Sequence, residues 1–199
     1  MKKILELIPQ LHASGFLDRS GGSVALRDSR GILVSPENAG ELLEWQLLEE
    51  DLVLFPGDGD ASMARAGRRP SHMNRWLRGM LAIRPEWRCI VQPTSWGGMS
   101  FALAGCELPL HSVNPRLFKA QKGSNIPLVQ AGQDLDAQLA QLQEQVGRVF
   151  GRSDFAAVLI ESEALIVAGT DTTLMPAALQ TVESLARAQQ WLLKLRAQD

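Results

Sequence analysis

Apolar residues at Ile4, Leu5, Leu7, Ile8 and Leu11 recur with helical spacing and predict a helix over residues 3–15, closed by Gly15. A Gly/Ser-rich turn over 18–23 leads into the strand-like Val24-Ala25-Leu26. After a polar turn, Ile32-Leu33-Val34 makes a second strand, and the two read as a hairpin. Residues 36–40 read as a loop, and Leu52-Val53-Leu54-Phe55 as a third strand ended by the turn Pro56-Gly57-Asp58-Gly59. Ser71 is placed as the N-cap of a helix whose apolar positions are Met73, Trp76, Leu77, Met80 and Leu81, with Pro85 ending it. Cys89-Ile90-Val91 is the next strand, residues 96–103 a helix, and Leu128-Val129 a short strand. Leu135, Leu139, Leu142, Val146 and Val149 line one side of a helix over 134–150. Ala156 to Ile160 and Leu165 to Ala168 are strands around the polar break Glu161-Ser162-Glu163. Pro176 starts a last helix with the stripe Leu179, Val182, Leu185, Ala186 and Leu193. This alternation predicts an α/β protein with a largely antiparallel or mixed sheet.

Composition narrows the class without naming a function. The chain has 199 residues, 45% hydrophobic and 21% charged, and is expected to be one domain over 1–199. A net charge of −2 gives no field calling for nucleic acid or an anionic membrane. The basic cluster Arg65, Arg68 and Arg69, with Arg75 and Arg78 beyond it, is a solvated face or an anion site. The Lys2-Lys3 start is followed by no signal-peptide core, and no apolar run is long enough to span a bilayer. Cys89 and Cys106 form neither a metal-type pair nor a disulfide framework, and a reducing, cytoplasmic setting is expected.

The segment Cys89-Ile90-Val91-Gln92-Pro93-Thr94-Ser95 carries most of the chemical information. A buried strand running into Pro and Ser, then Gly97-Gly98, delivers side chains to a pocket at its end. Gln92 and Thr94, two apart, share a face. Two histidines in those places would hold a divalent cation, whereas an amide and a hydroxyl are poor ligands.

Several strings in this order resemble the class II aldolase/adducin family, and within it the L-fuculose-phosphate aldolase type, over residues 3–195. Ser20-Gly21-Gly22-Ser23-Val24-Ala25-Leu26-Arg27 is similar to the family's T-x-G-N-x-S-x-R turn, and Ile32-Leu33-Val34-Ser35-Pro36 to its strand ending in T-P. Arg69-Pro70-Ser71-His72-Met73 sits where the family has P-S-S-E. Arg84-Pro85-Glu86, with the following strand, resembles the approach to H-x-H. Leu108-Pro109-Leu110-His111 resembles I-P-x-x-H, one residue shorter. The stretch from Val158 to Val167 matches the strand–N-H-G–strand hairpin, and Glu183 to Leu193 the closing helix. The resemblance implies a three-layer α/β/α fold around a mainly antiparallel or mixed sheet.

It also implies a chemistry that this chain is poorly equipped to run. In such aldolases a zinc-type cation, held by histidines, polarises a ketose-phosphate carbonyl while a glutamate moves the proton. The matching positions here are Gln92 and Thr94 for H-x-H, Glu163 for the N-H-G histidine, Met73 for the glutamate and Leu77 for a further histidine. His111 matches a family histidine and lines the former cleft on one reading. No metal cofactor is expected, although Gln92, Glu163 and His111 could form an atypical set. At the phosphate-binding positions stand Ser20, Gly22, Ser23, Ser35, Ser71 and His72. The alternative is that Ser20 and Ser23 only shape a turn and Ser71 only caps a helix. His12 is expected at the surface or at the boundary of the core. Trp96 is expected in the core, with the pocket mouth as the alternative.

The resulting expectation is a pseudo-aldolase acting as a binding or assembly module, with the adducin head domains as precedent. Alternatives are an active aldolase or epimerase with an atypical metal site, and a phosphate or sugar-phosphate sensor. A homo-oligomer, by analogy a tetramer, is expected, with a small phosphorylated ligand but no nucleic-acid or membrane partner.

Overall fold

The computed structural model describes residues 2–57, 68–110, 117–121, 123–130 and 134–197. Its elements are helices α1 (Lys2–Ala13), α2 (Ala39–Leu43), α3 (Asn74–Ile83), α4 (Trp96–Leu103), α5 (Leu135–Phe150) and α6 (Met175–Arg196). The strands are β1 (Ser23–Asp28), β2 (Gly31–Val34), β3 (Val53–Phe55), β4 (Cys89–Gln92), β5 (Leu108–Pro109), β6 (Asn125–Ile126), β7 (Leu128–Val129), β8 (Phe155–Ile160) and β9 (Ala164–Gly169). Seven strands form a sheet in the order β3-β2-β1-β4-β9-β8-β7, and β5 pairs with β6 apart from it. The pairs β1–β2, β1–β4 and β2–β3 are antiparallel while β7–β8 is parallel, so the sheet is mixed as the patterning predicts.

The chain packs as two compact units, one comprising Met1–Thr94 with Ala168–Pro176, the other Ser95–Val167 with Ala177–Asp199. In the first, α1 and α3 pack on β1. Ile4, Leu7, Ile8 and Leu11 of α1 and Trp76, Leu77, Met80 and Leu81 of α3 are buried. Helical spacing therefore marks the inward faces correctly, and each such side chain contributes roughly 1.5–3 kcal/mol when fully buried. Helix α1 ends in a capped turn, with Gly15 N–H donating to His12 O and Phe16 N–H to Leu11 O. His12 is exposed as expected, with Nδ1 2.9 Å from Leu17 O. In the second unit, α5 packs on β7 and β8, and Phe118 lies against Phe150 and Phe155 with ring centroids 6.2 and 6.1 Å apart.

Several local expectations change. Helix α3 starts at Asn74, so Ser71 lies in the turn before it and is not its N-cap. Residues Pro36 to Gly40 are only partly loop, because α2 begins at Ala39 between the left-handed residues Asn38 and Glu44. The apolar stripe of α6 stops at Ala186, and Leu193 is 50% exposed. Trp96, expected in the core, is 74% exposed. It is the first residue of α4, and the inward places nearby belong to Gly97, Gly98, Phe101 and Ala102. Asp58 and Gly59 of the turn after β3, Arg65 of the basic cluster, and His111 lie outside the described residues. Arg68 pairs with Asp51 at 3.2 Å, and the Arg78 guanidinium stacks 4.3 Å over the Phe55 ring.

Candidate functional site

The first unit brings most of the sequence-predicted polar residues to one end of its strands. In the β1–β4 ladder Ser23 stands directly opposite Gln92. Ser23, Ser35 and Ser71 are 0%, 0% and 3% exposed. Their hydroxyl oxygens are occupied by the protein itself. Ser23 Oγ is hydrogen-bonded to Ser71 Oγ. Ser71 Oγ also accepts from Met73 N at 3.2 Å, and Ser35 Oγ accepts from Val24 N at 3.1 Å. Backbone bonds from Ser35 N to Val24 O and from Ser71 N to Ser35 O complete the seam. Buried hydroxyls need such partners, and these have them.

The remaining phosphate candidates do not join that seam. Ser20 is exposed, and both its amide and its hydroxyl donate to Asp18 Oδ1, at 2.7 and 2.6 Å. A carboxylate already holds the two donors that a phosphate would use. Gly22 has φ 106, and a Cβ there would lie 2.5 Å from Leu17 Cδ2. The left-handed backbone at this position favours glycine. His72 is exposed.

At the other positions of the family's metal and base, Met73 and Leu77 are 2% and 0% exposed. Gln92 is 7% exposed, and its Oε1 is buried without a hydrogen-bond partner, while Nε2 donates only to Pro93 O at 3.4 Å. Thr94 donates through both N, at 2.9 Å, and Oγ1, at 3.3 Å, to Phe16 O. The donors here are a neutral amide oxygen and a hydroxyl already used in packing, a set that does not fit a zinc-type cation. Among the described residues no group of three or more His, Cys, Asp or Glu could hold a metal ion. Glu163 lies in the second unit, on the turn between β8 and β9, where Ser162 takes a left-handed φ of 60 and Glu163 N donates to Ile160 O.

Sequence reasoning missed the strongest polar cluster of the second unit. Glu183 of α6 is 5% exposed. It accepts from Ser95 Oγ, from Gly97 N at 3.2 Å, from Gly98 N at 3.3 Å and from Arg187 Nε at 2.8 Å. A carboxylate thus closes the positive N-terminal end of α4. Burial pushes the Glu183 pKa up, but the bonds from Ser95, Arg187 and Gly98 outweigh it and hold the group below the usual glutamate value. The signal in the sequence is the pair Gly97-Gly98. A Cβ on Gly97 would lie 2.6 Å from Glu183 Oε2, and one on Gly98 2.5 Å from Leu165 Cδ2. Cys89 is wholly buried, which pushes its thiol pKa far up and leaves it a packing residue.

No family model matches the sequence, and no curated protein matches it. Solved structures do. An L-fuculose 1-phosphate aldolase superposes with a TM-score of 0.74 at 14% identity, over 98% of this chain and 86% of that one. The L-fuculose-1-phosphate aldolase from Thermus thermophilus gives 0.72 at 14% identity, over 98% and 95%. A sugar-phosphate aldolase from Thermotoga maritima gives 0.62 at 14% identity, over 98% and 94%. At such identities the likeness speaks for architecture and not for activity. The chain has the fold of the class II aldolases.

Proposed function

We propose that this protein keeps the class II aldolase fold without metal-dependent aldol chemistry and works as a binding or assembly module. The observation that carries the reading is the pair Met73 and Leu77, buried apolar side chains at the positions where the resemblance puts a proton-transferring glutamate and a histidine. Neither can move a proton or offer zinc a good lone pair. A metal contributes several kcal/mol at such a transition state, and each ~1.4 kcal/mol is tenfold in rate, so losing metal and base together removes useful turnover. The setting this reading takes is a cytoplasmic homo-oligomer with no nucleic-acid or membrane partner. No described helix is long and apolar enough to cross a membrane. Exposed Trp191, Leu192, Leu193 and Leu195 on α6 favour self-association.

The test combines metal analysis of protein purified without added metal with an assay for dihydroxyacetone phosphate released from L-fuculose 1-phosphate. Substoichiometric zinc, iron and manganese with no release are expected. Stoichiometric metal, with turnover lost in Glu163→Ala, would overturn the reading. One observation favours a second reading, a small-molecule sensor. The unpartnered Gln92 Oε1 is a buried acceptor that a ligand hydroxyl or amine would satisfy.

A further inference from the structure

The far end of the same strands opens on a cavity of about 590 Å³, lined by Lys2, Lys3, Leu26, Arg27, Asp28, Ser29, Arg88 and residues 170–173. Its volume falls within the ~300–1,000 Å³ typical of small-molecule pockets. All of its lining comes from the first unit: the start of α1, the end of β1, the approach to β4 and the segment after β9. From Ser23 to Leu26 the chain advances about 10 Å along β1, so this cavity is separate from the serine seam.

Its charges are unevenly committed. Among the described lining residues, four cations stand beside two carboxylates. Asp171 accepts from Thr173 N at 2.8 Å and Thr173 Oγ1 at 2.7 Å and is also drawn to the Lys3 ammonium, and Asp28 is bound by Arg30 at 3.0 Å. Lys2 reaches Glu6 only at 3.7 Å. Arg88 is exposed, with its backbone fixed by bonds from Arg88 N to Gly169 O and from Arg27 N to Arg88 O. Arg27 spends Nη2 on Leu81 O at 2.7 Å, and its Nε is buried with no acceptor. The backbone on either side of Arg88 is held while its exposed guanidinium borders the cavity, as in a preformed anion site.

We infer that this cavity binds the phosphate group of a small phosphomonoester. The excess of cations over carboxylates among the described lining residues suits a phosphomonoester, which carries about −1.5 to −2 at neutral pH. The guanidinium of Arg88 and the ammonium of Lys3 take the phosphate oxygens, and the hydroxyls of Thr170 and Thr172 face the hydroxylated remainder. This site does not depend on the reading of the other end of the strands.

Calorimetric titration at low salt with glycerol 3-phosphate, glucose 6-phosphate and adenosine monophosphate tests it, with glucose and adenosine as uncharged controls. At least one ester is expected to bind saturably. Arg88→Ala and Lys3→Ala should each weaken that binding at least about tenfold, which is ~1.4 kcal/mol. Ser71→Ala should leave it unchanged. Circular dichroism of each variant checks that it folds. The inference is overturned if no ester binds at millimolar concentration, if binding survives both cation substitutions, or if Ser71→Ala alone abolishes it.

Discussion

The two ends of the β1–β4 ladder are built from the same strands and behave as opposites. At the Ser23–Gln92 end the serine hydroxyls are buried and bonded to one another or to backbone amides, and Met73 and Leu77 are buried as well. At the Leu26–Cys89 end the backbone is satisfied, but cationic side chains border open volume. A dense set of polar residues is therefore not what distinguishes a binding site. What distinguishes it is polar capacity that the fold has left unspent. By that measure the end to which the resemblance assigns metal and phosphate is nearly closed, with Gln92 Oε1 its orphan among the described residues named, and the end to which it assigns no ligand is open.

This contrast can be broken most severely at a cluster closed in the same manner. Glu183→Ala strips partners from Ser95, Gly97 and Gly98 and should cost about 3 kcal/mol in urea unfolding. A loss below 1 kcal/mol would show that closure is not holding this region together. The same carboxylate predicts a pH effect. Its folded pKa lies below the ordinary value, so its stabilisation is complete above the unfolded pKa and is lost as pH falls through the folded one. Glu183→Gln should accordingly flatten the acid limb of the stability profile. Ser71→Val removes the partner of Ser23 Oγ and of Met73 N, and a loss of about 1–3 kcal/mol is expected. Gln92→Met, similar in shape but without the orphaned oxygen, should leave stability unchanged or raise it by up to ~1 kcal/mol. A marked loss would mean that Gln92 is satisfied in solution. Smallest of all, Arg88→Ala in ligand-free protein should shift stability by no more than ~0.5 kcal/mol, as expected for a side chain the fold does not use.

Much of the architecture is legible in the sequence because burial imposes period. The faces of α1 and α3, the β1–β2 hairpin and the β8–β9 pair follow from the spacing of apolar residues, and the ordered strings of the resemblance lead to the right fold. Failures come where tertiary partners override local pattern. The size of Trp96 predicts a core position, yet the glycines beside it take the inward places next to Glu183 and Leu165. Ser71 has the sequence context of a helix cap, but its hydroxyl serves Ser23 and the turn before α3. Helix α2 is hidden by left-handed residues at both ends. The cavity residues Lys3, Arg27, Arg88 and Asp171 lie far apart in sequence and share no spacing, so only the folded chain assembles them.

The close approach of Gly97 to Glu183 has a consequence for inheritance. With 2.6 Å between a hypothetical Cβ and the carboxylate, the two positions are coupled: a side chain at 97 pushes the Glu183 carboxylate off its partners, and a shorter residue at 183 leaves the amides of α4 bare. Among descendants of this sequence the two sites should change as a pair, so a single substitution that is harmful alone becomes tolerable once its counterpart has moved.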